Sequence, residues 1–116
     1  MRFGIAGYGG RGKLLARKLA DFGLDVVGVY DFNPAQLANA RFRTFTDIGD
    51  LFKLNPDVLV LTTWPSSHAT ITEKALEHGF DVFVEKPMGA GLVESLQIVR
   101  PRDAPQSWSL LATLND

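Results

Sequence analysis

Gly7, Gly9 and Gly12 stand in G-x-G-x-x-G spacing, with Tyr8, Gly10 and Arg11 filling the gaps. An apolar run, Phe3-Gly4-Ile5-Ala6, precedes them, and Lys13-Leu14-Leu15-Ala16-Arg17-Lys18-Leu19-Ala20 follows with helical periodicity. Strand, glycine turn and helix form the setting in which this spacing carries chemical meaning. Gly7 would make the tight turn, Gly9 would let a pyrophosphate approach the backbone, and Gly12 would let the helix pack against the strand. The N–H groups of the first helical turn would then face an anion. Asp31 follows Gly12 by 19 positions. It is placed to accept hydrogen bonds from the hydroxyls of an adenosine ribose. Its charge would repel a 2′-phosphate, which favours NAD over NADP, although Arg11 beside the loop would offset part of that repulsion.

Two further clusters hold chemically capable side chains. Thr62-Thr63-Trp64-Pro65-Ser66-Ser67-His68 follows an apolar strand. His68 falls on the apolar half of the next helix, in its first turn. That position suits a histidine packed on the sheet, and equally one beside the nicotinamide half of a dinucleotide, kept neutral by the helix N-terminus. Glu85-Lys86-Pro87 ends another strand. Pro87 holds Lys86 extended. A lysine there can act as general acid or base once burial lowers its pKa, or it can simply pair with Glu85 at the surface.

The elements that must position these groups follow from patterning. Strands are predicted at 2–6, 25–30, 57–61 and 81–84, with a short one within 41–45. Helices are predicted at 11–22, 34–40, from 46 or 47 to 53, 66–78 and 91–100. On the 11–22 wheel, Gly12, Leu15, Ala16, Leu19, Ala20 and Phe22 share the inward face. Asp57-Val58-Leu59-Val60-Leu61 is apolar on both sides, as a central parallel strand should be. Strands alternating with helices imply an α/β fold, a doubly wound parallel sheet, with ligands at the carboxyl ends of the strands. Gly7–Gly12, Asp31, Thr62–His68 and Glu85–Pro87 all fall at such ends. The organisation expected is one domain over 1–100 and a tail over 101–116. In that tail, Trp108, Leu110 and Leu114 would form a last strand that covers the sheet edge or makes a homodimer.

Composition narrows the classes. A chain of 116 residues with 46% hydrophobic and 22% charged residues is an ordinary globular domain. The net charge of −1 leaves no footprint for nucleic acid or an acidic membrane. With no cysteine there is neither a disulfide framework nor a thiolate metal site, and two histidines do not make a His-rich one. No apolar run approaches the ~18 residues of a membrane helix, and no signal peptide is evident. A soluble, cytoplasmic protein is expected.

Taken together, Gly7-x-Gly9-x-x-Gly12, the strand leading to Thr63-x-Pro65-Ser66-Ser67-His68, and Gly79-Phe80-Asp81-Val82-Phe83-Val84-Glu85-Lys86-Pro87 resemble the glucose–fructose oxidoreductase / inositol dehydrogenase (Gfo/Idh/MocA) family over residues 1–99. The resemblance implies a Rossmann domain. In it, Gly7, Tyr8, Gly9, Gly10, Arg11 and Gly12 hold the pyrophosphate and Asp31 the ribose. Thr62, Thr63, Pro65 and His68 line the middle of the cofactor, and Glu85 and Lys86 face the nicotinamide. Lys86 would be the catalytic residue, assisting proton transfer as hydride moves between the nicotinamide and a polyol- or sugar-like substrate. The chain departs from the family in carrying Trp64 where proline is usual and in ending at Asp116, short of the second α/β domain. A substrate partner is therefore expected only if a second domain is supplied. A non-catalytic NAD(H)-binding sensor and an interaction protein with an empty groove are the competing functions. Nicotinamide binding without turnover would mark the first, and Trp64 lying in the groove would mark the second.

Overall fold

The computed structural model describes the backbone of residues 1–62, 65–88, 93–99 and 107–110, and the side chains of 1–62 and 70–84. Among these residues seven strands, β1 (Arg2–Ala6), β2 (Asp25–Tyr30), β3 (Thr44–Phe45), β4 (Val58–Leu61), β5 (Asp81–Met88), β6 (Val93–Val99) and β7 (Ser107–Leu110), form one sheet. Among the described residues three helices, α1 (Gly10–Asp21), α2 (Ile48–Phe52) and α3 (Pro65–Glu77), and a 3-10 turn at Pro34–Leu37 lie in the connections from β1 to β5. The strand order is β3-β2-β1-β4-β5-β6-β7. The first five are parallel, while β5–β6 and β6–β7 pair antiparallel.

Alternation within the central strands sorts the core into two layers. Val58 and Val60 join Phe3, Ile5, Leu15, Ala16 and Val29 on the α1 side. Leu59 and Leu61 join Leu51, Phe52, Ile71, Ala75, Phe80 and Val82 on the side of α2 and α3. A strand buried on both faces needs apolar residues at consecutive positions, and β4 supplies four in a row. Each fully buried leucine or valine contributes about 1.5–3 kcal/mol against exposure, so this strand anchors the fold.

The helix boundaries follow from local chemistry. Asp47 caps α2 by accepting the Gly49 N–H at 2.8 Å. Pro34 opens the 3-10 turn, and Asn33 accepts the Ala35 N–H at 3.1 Å. Pro65 stands at the first position of α3, where a missing N–H costs nothing. The Phe80 N–H closes α3 by donating to the Ala75 carbonyl at 3.0 Å.

The predicted helix over 91–100 is not formed, and Val93–Val99 is instead strand β6. Leu92, Val93, Leu96 and Val99 fit a helical stripe, but Val93, Ile98 and Val99 are also good strand formers. Pairing with β5 from Val82↔Val99 to Met88↔Val93 satisfies the ladder and overrides the local period. Phe22, expected on the inward face of α1, is 82% exposed because the helix ends at Asp21 and Phe22 is its cap. Ala20 is exposed as well. The short helix expected over 34–40 is reduced to the 3-10 turn, and the strand over 41–45 to Thr44–Phe45. Leu114 lies outside the described residues. No helix among the described residues is long and apolar enough to cross a membrane.

Candidate functional site

The sheet changes direction between β1 and β4. After β1 the chain crosses to β2 on one side, and β4 lies on the other. Ala6 is level with both Tyr30 of β2 and Leu61 of β4, so three strands end flush. Ligands of open α/β sheets bind in the crevice at such a reversal, outside the carboxyl ends. The chain leaves β1 through Gly7, whose φ of 105° suits glycine alone. The Gly7 N–H donates to the Tyr30 carbonyl at 2.8 Å, and the Thr62 N–H donates to the Ala6 carbonyl at 2.8 Å. The turn is therefore held by both neighbouring strands.

The glycines divide by what the fold requires of them. A Cβ on Gly12 would lie 1.8 Å from the Gly7 carbonyl oxygen and 3.1 Å from Thr62 Oγ1. Helix α1 thus sits directly on the turn, and only a glycine lets it. Gly9 and Gly10 are different. A Cβ on either meets nothing within 4 Å, and Gly9 has an ordinary φ of −75°. Nothing in the described chain requires glycine there, and the space beside both is open.

That open space faces the start of α1. Gly9 is the N-cap and offers no side-chain hydrogen bond, and the first turn holds no acid. Lys13 is the first residue whose N–H finds an intrahelical partner, the Gly9 carbonyl at 2.9 Å. The N–H groups of Gly9, Gly10 and Gly12 donate to no other described residue. An uncapped helix start with Arg11 and Lys13 in its first turn is a positive end that favours an anion.

Asp31 follows β2 directly and is 8% exposed. One carboxylate oxygen accepts the Tyr8 N–H at 2.8 Å and the other accepts the Asn33 N–H at 2.9 Å. The residue expected to meet a ribose therefore also ties the glycine turn to the end of β2. Each oxygen keeps a second lone pair for a hydroxyl donor. The Tyr8 N–H is used by Asp31, so it is not among the donors left for an anion. The Tyr8 ring packs in the core layer beneath α1, with Lys13 Nζ 5.7 Å from its centroid. Burial raises the pKa of the Tyr8 hydroxyl, partly opposed by the positive charge of Arg41. Burial also raises that of Tyr30, and the negative charges of Asp31 and Asp47 add to it.

Thr62 follows β4 and closes the group. Its hydroxyl donates to the Gly7 carbonyl at 2.7 Å, with the Ala6 carbonyl 3.4 Å away. Sequence reading placed Thr62 at the site but missed this bond. No spacing in the sequence marks it, because Thr62 comes level with the glycine turn only through the register of β1 and β4. Gly7, Gly12, Asp31 and Thr62 are thus brought together. Thr63 and Trp64 lie outside the described residues. Pro65 and His68 fall in the first turn of α3, which starts three residues beyond Thr62. Strand β5 does not stop before Glu85 as expected but continues through Met88. Leu61 pairs with Val84, so Glu85 and Lys86 come directly after the last parallel pair, on the carboxyl side of the sheet. The side chains of Pro65, His68, Glu85 and Lys86 are outside those described. No group of metal-ligating residues occurs among the described residues.

Residues 1–102 match GFO_IDH_MocA, described as an oxidoreductase family with an NAD-binding Rossmann fold. The chain is 27% identical over 127 residues to Glycosyl hydrolase family 109 protein 2 of Akkermansia muciniphila, covering 96% of this chain and 27% of that protein. It is 30% identical over 114 residues to Inositol 2-dehydrogenase of Ralstonia nicotianae, covering 90% of this chain and 34% of that one. Among solved structures, the WlbA dehydrogenase of Bordetella pertussis, crystallised with NADH and UDP-GlcNAcA, superposes with a TM-score of 0.68 at 30% identity, over 77% of this chain and 29% of that chain. The chain thus spans about a third or less of the length of these relatives.

Proposed function

Because the chain belongs to the GFO_IDH_MocA oxidoreductase family, whose fold is an NAD-binding Rossmann domain, we propose that it holds the dinucleotide of an oxidoreductase acting on a polyol- or sugar-like substrate. The observation that carries this reading is the unfilled space at Gly9 and Gly10. Gly7 and Gly12 are glycine because the chain itself demands it. The other two leave a gap at the uncapped start of α1, which fits a group from outside the chain. A pyrophosphate suits such a gap.

In this reading the N–H groups of Gly9, Gly10, Arg11 and Gly12 bind the pyrophosphate, and Asp31 accepts a ribose hydroxyl while keeping its two backbone bonds. Thr62, Thr63, Pro65 and His68 border the middle of the dinucleotide. Glu85 and Lys86 border the nicotinamide end, and Lys86 is the residue that would exchange a proton with the substrate hydroxyl. Bound NAD supplies the hydride acceptor. The carboxylate of Asp31 disfavours a 2′-phosphate, so NADH should bind more tightly than NADPH. Substrate is engaged only with a further substrate-holding domain, since orientation and exclusion of water need a closed pocket. Cytoplasmic residence and association between copies of the chain belong to the same proposal.

Titration of the purified chain with NADH and with NADPH tests it. The expected result is saturable binding of NADH with weaker binding of NADPH. Absence of binding by either at millimolar concentration overturns the reading. Equal affinity removes the role given to Asp31. Binding without turnover, even when candidate substrate domains and polyols are supplied, would move the chain to a sensor role.

A further inference from the structure

The Gly7–Tyr8 peptide is gripped from two sides. Its carbonyl accepts the Thr62 hydroxyl at 2.7 Å, and its N–H donates to Asp31 at 2.8 Å. A trans peptide points these two groups in opposite directions. The two grips therefore act on the same rigid plane, one from the end of β4 and one from the end of β2. We propose that Thr62 is a positioning residue that, with Asp31, clamps this peptide across the strand reversal and so presets the glycine turn for the dinucleotide. The inference rests on the dinucleotide reading and deepens it.

Several observations make the clamp more than a chance contact. The Gly7 carbonyl oxygen is the atom a Cβ on Gly12 would meet first, so the direction of this carbonyl limits how closely α1 can begin. Gly7 has a φ of 105° and no side chain of its own to resist rotation of the next peptide. The Gly7 oxygen lies where a Cβ on Gly12 would meet it, so turning this peptide would displace the first turn of α1, whose N–H groups face the phosphate. The Thr62 hydroxyl holds the oxygen on the β4 side. The Thr62 backbone is in turn fixed by its N–H bond to Ala6. Thr62 is half-buried, so water competes incompletely for the Gly7 carbonyl. Thr62 thereby works mainly through Gly7, and its single hydroxyl proton is already committed. The clamp also joins the end of β2 to the end of β4, the strand that pairs with β5.

The test compares wild type with Thr62→Val, which keeps the shape and removes the hydroxyl, and Thr62→Ser, which keeps the hydroxyl. Thr62→Ala replaces the valine variant should the extra methyl not be accommodated. Amide hydrogen exchange at Tyr8 in the ligand-free protein reports the clamp, and NADH titration reports its consequence. Losing one hydrogen bond should speed Tyr8 exchange and weaken NADH by about fivefold each. Serine should return both to within about twofold of wild type. Unchanged Tyr8 exchange in the valine variant overturns the proposal, as does a serine variant that behaves like valine. Faster exchange with unchanged NADH affinity overturns the positioning role. A wild-type chain that takes up no NADH refutes the dinucleotide reading separately, and the exchange measurement then still decides whether Thr62 holds the peptide.

Discussion

Replacing Gly12 by alanine and, separately, Gly9 by alanine should separate folding from binding within one short loop. A Cβ at Gly12 would lie 1.8 Å from the Gly7 carbonyl oxygen and 2.8 Å from its carbon. Both are backbone atoms of a turn bonded to two strands, so neither can swing aside. To restore a tolerable contact of about 3 Å, the start of α1 must retreat by more than an ångström. Overpacking against rigid neighbours costs about 1–3 kcal/mol and more where backbone must move, against which alanine returns up to about 1 kcal/mol of helix propensity. The expected net loss is about 2 kcal/mol, a fall in Tm of roughly 8–16 °C for a domain of this size. At Gly9 there is nothing within 4 Å and no positive φ. That variant should keep its Tm within about 2–4 °C, corresponding to about 0.5 kcal/mol for an open surface site. It should nevertheless lose NADH affinity by tenfold or more (~1.4 kcal/mol), because the methyl occupies the space assigned to the pyrophosphate. Thermal unfolding by circular dichroism and calorimetric titration provide both readouts. A Gly12→Ala chain as stable as wild type would refute the close packing. A Gly9→Ala chain with full NADH affinity would refute the assignment of the gap.

Two further perturbations probe the ends of the site. Asp31→Asn leaves one acceptor oxygen for two N–H donors and turns an NH2 group toward the other, so it should cost about 1–3 kcal/mol in denaturant unfolding. It should also narrow any preference for NADH over NADPH, and a variant with unchanged stability would remove the structural duty given to this carboxylate. The raised hydroxyl pKa values of Tyr8 and Tyr30 make stability fall at high pH. The unfolded tyrosines release protons from about pH 10 while the folded ones still hold theirs, so stability is intact below pH 10 and declines until the folded pKa is passed. Tyrosinate absorbance should rise later in the folded protein than in the denatured one, and Tyr30→Phe should flatten the decline. Coincident titrations would contradict the buried setting.

Much of the architecture was legible because its causes are local. The four apolar residues of β4, the glycine spacing and the helix start at 46 or 47, which the structure resolves to an Asp47 cap, each depend on a few neighbouring residues, so strand, turn and helix start could be read where they occur. The order of the strands then placed Gly7, Asp31 and Thr62 at one end of the sheet. What escaped depends on partners distant in sequence. The helical stripe over 91–100 gives way to a ladder with β5, which no local pattern announces. Phe22 matches the inward face of α1 by angle, but the helix stops before it and leaves it outside. Asp31 reads as a ribose ligand, and its bond to Tyr8 becomes visible only when β2 lies beside β1. The hydroxyl of Thr62 carries no spacing signal toward Gly7, because the two meet through the register of parallel strands.

The outermost parallel strand, Thr44–Phe45, is only two residues long. Its inward side is occupied by β2, and the Val29 and Asp31 N–H groups take the Arg43 and Phe45 carbonyls. So short an edge exposes too few free donors and acceptors to template another chain, and the exposed cations of Arg41 and Arg43 flank it on approach. This border of the sheet is thereby protected against ladder-to-ladder aggregation without a covering helix. Strand pairing between copies of the chain is therefore disfavoured along this border, on the β2 side of the reversal between β1 and β4.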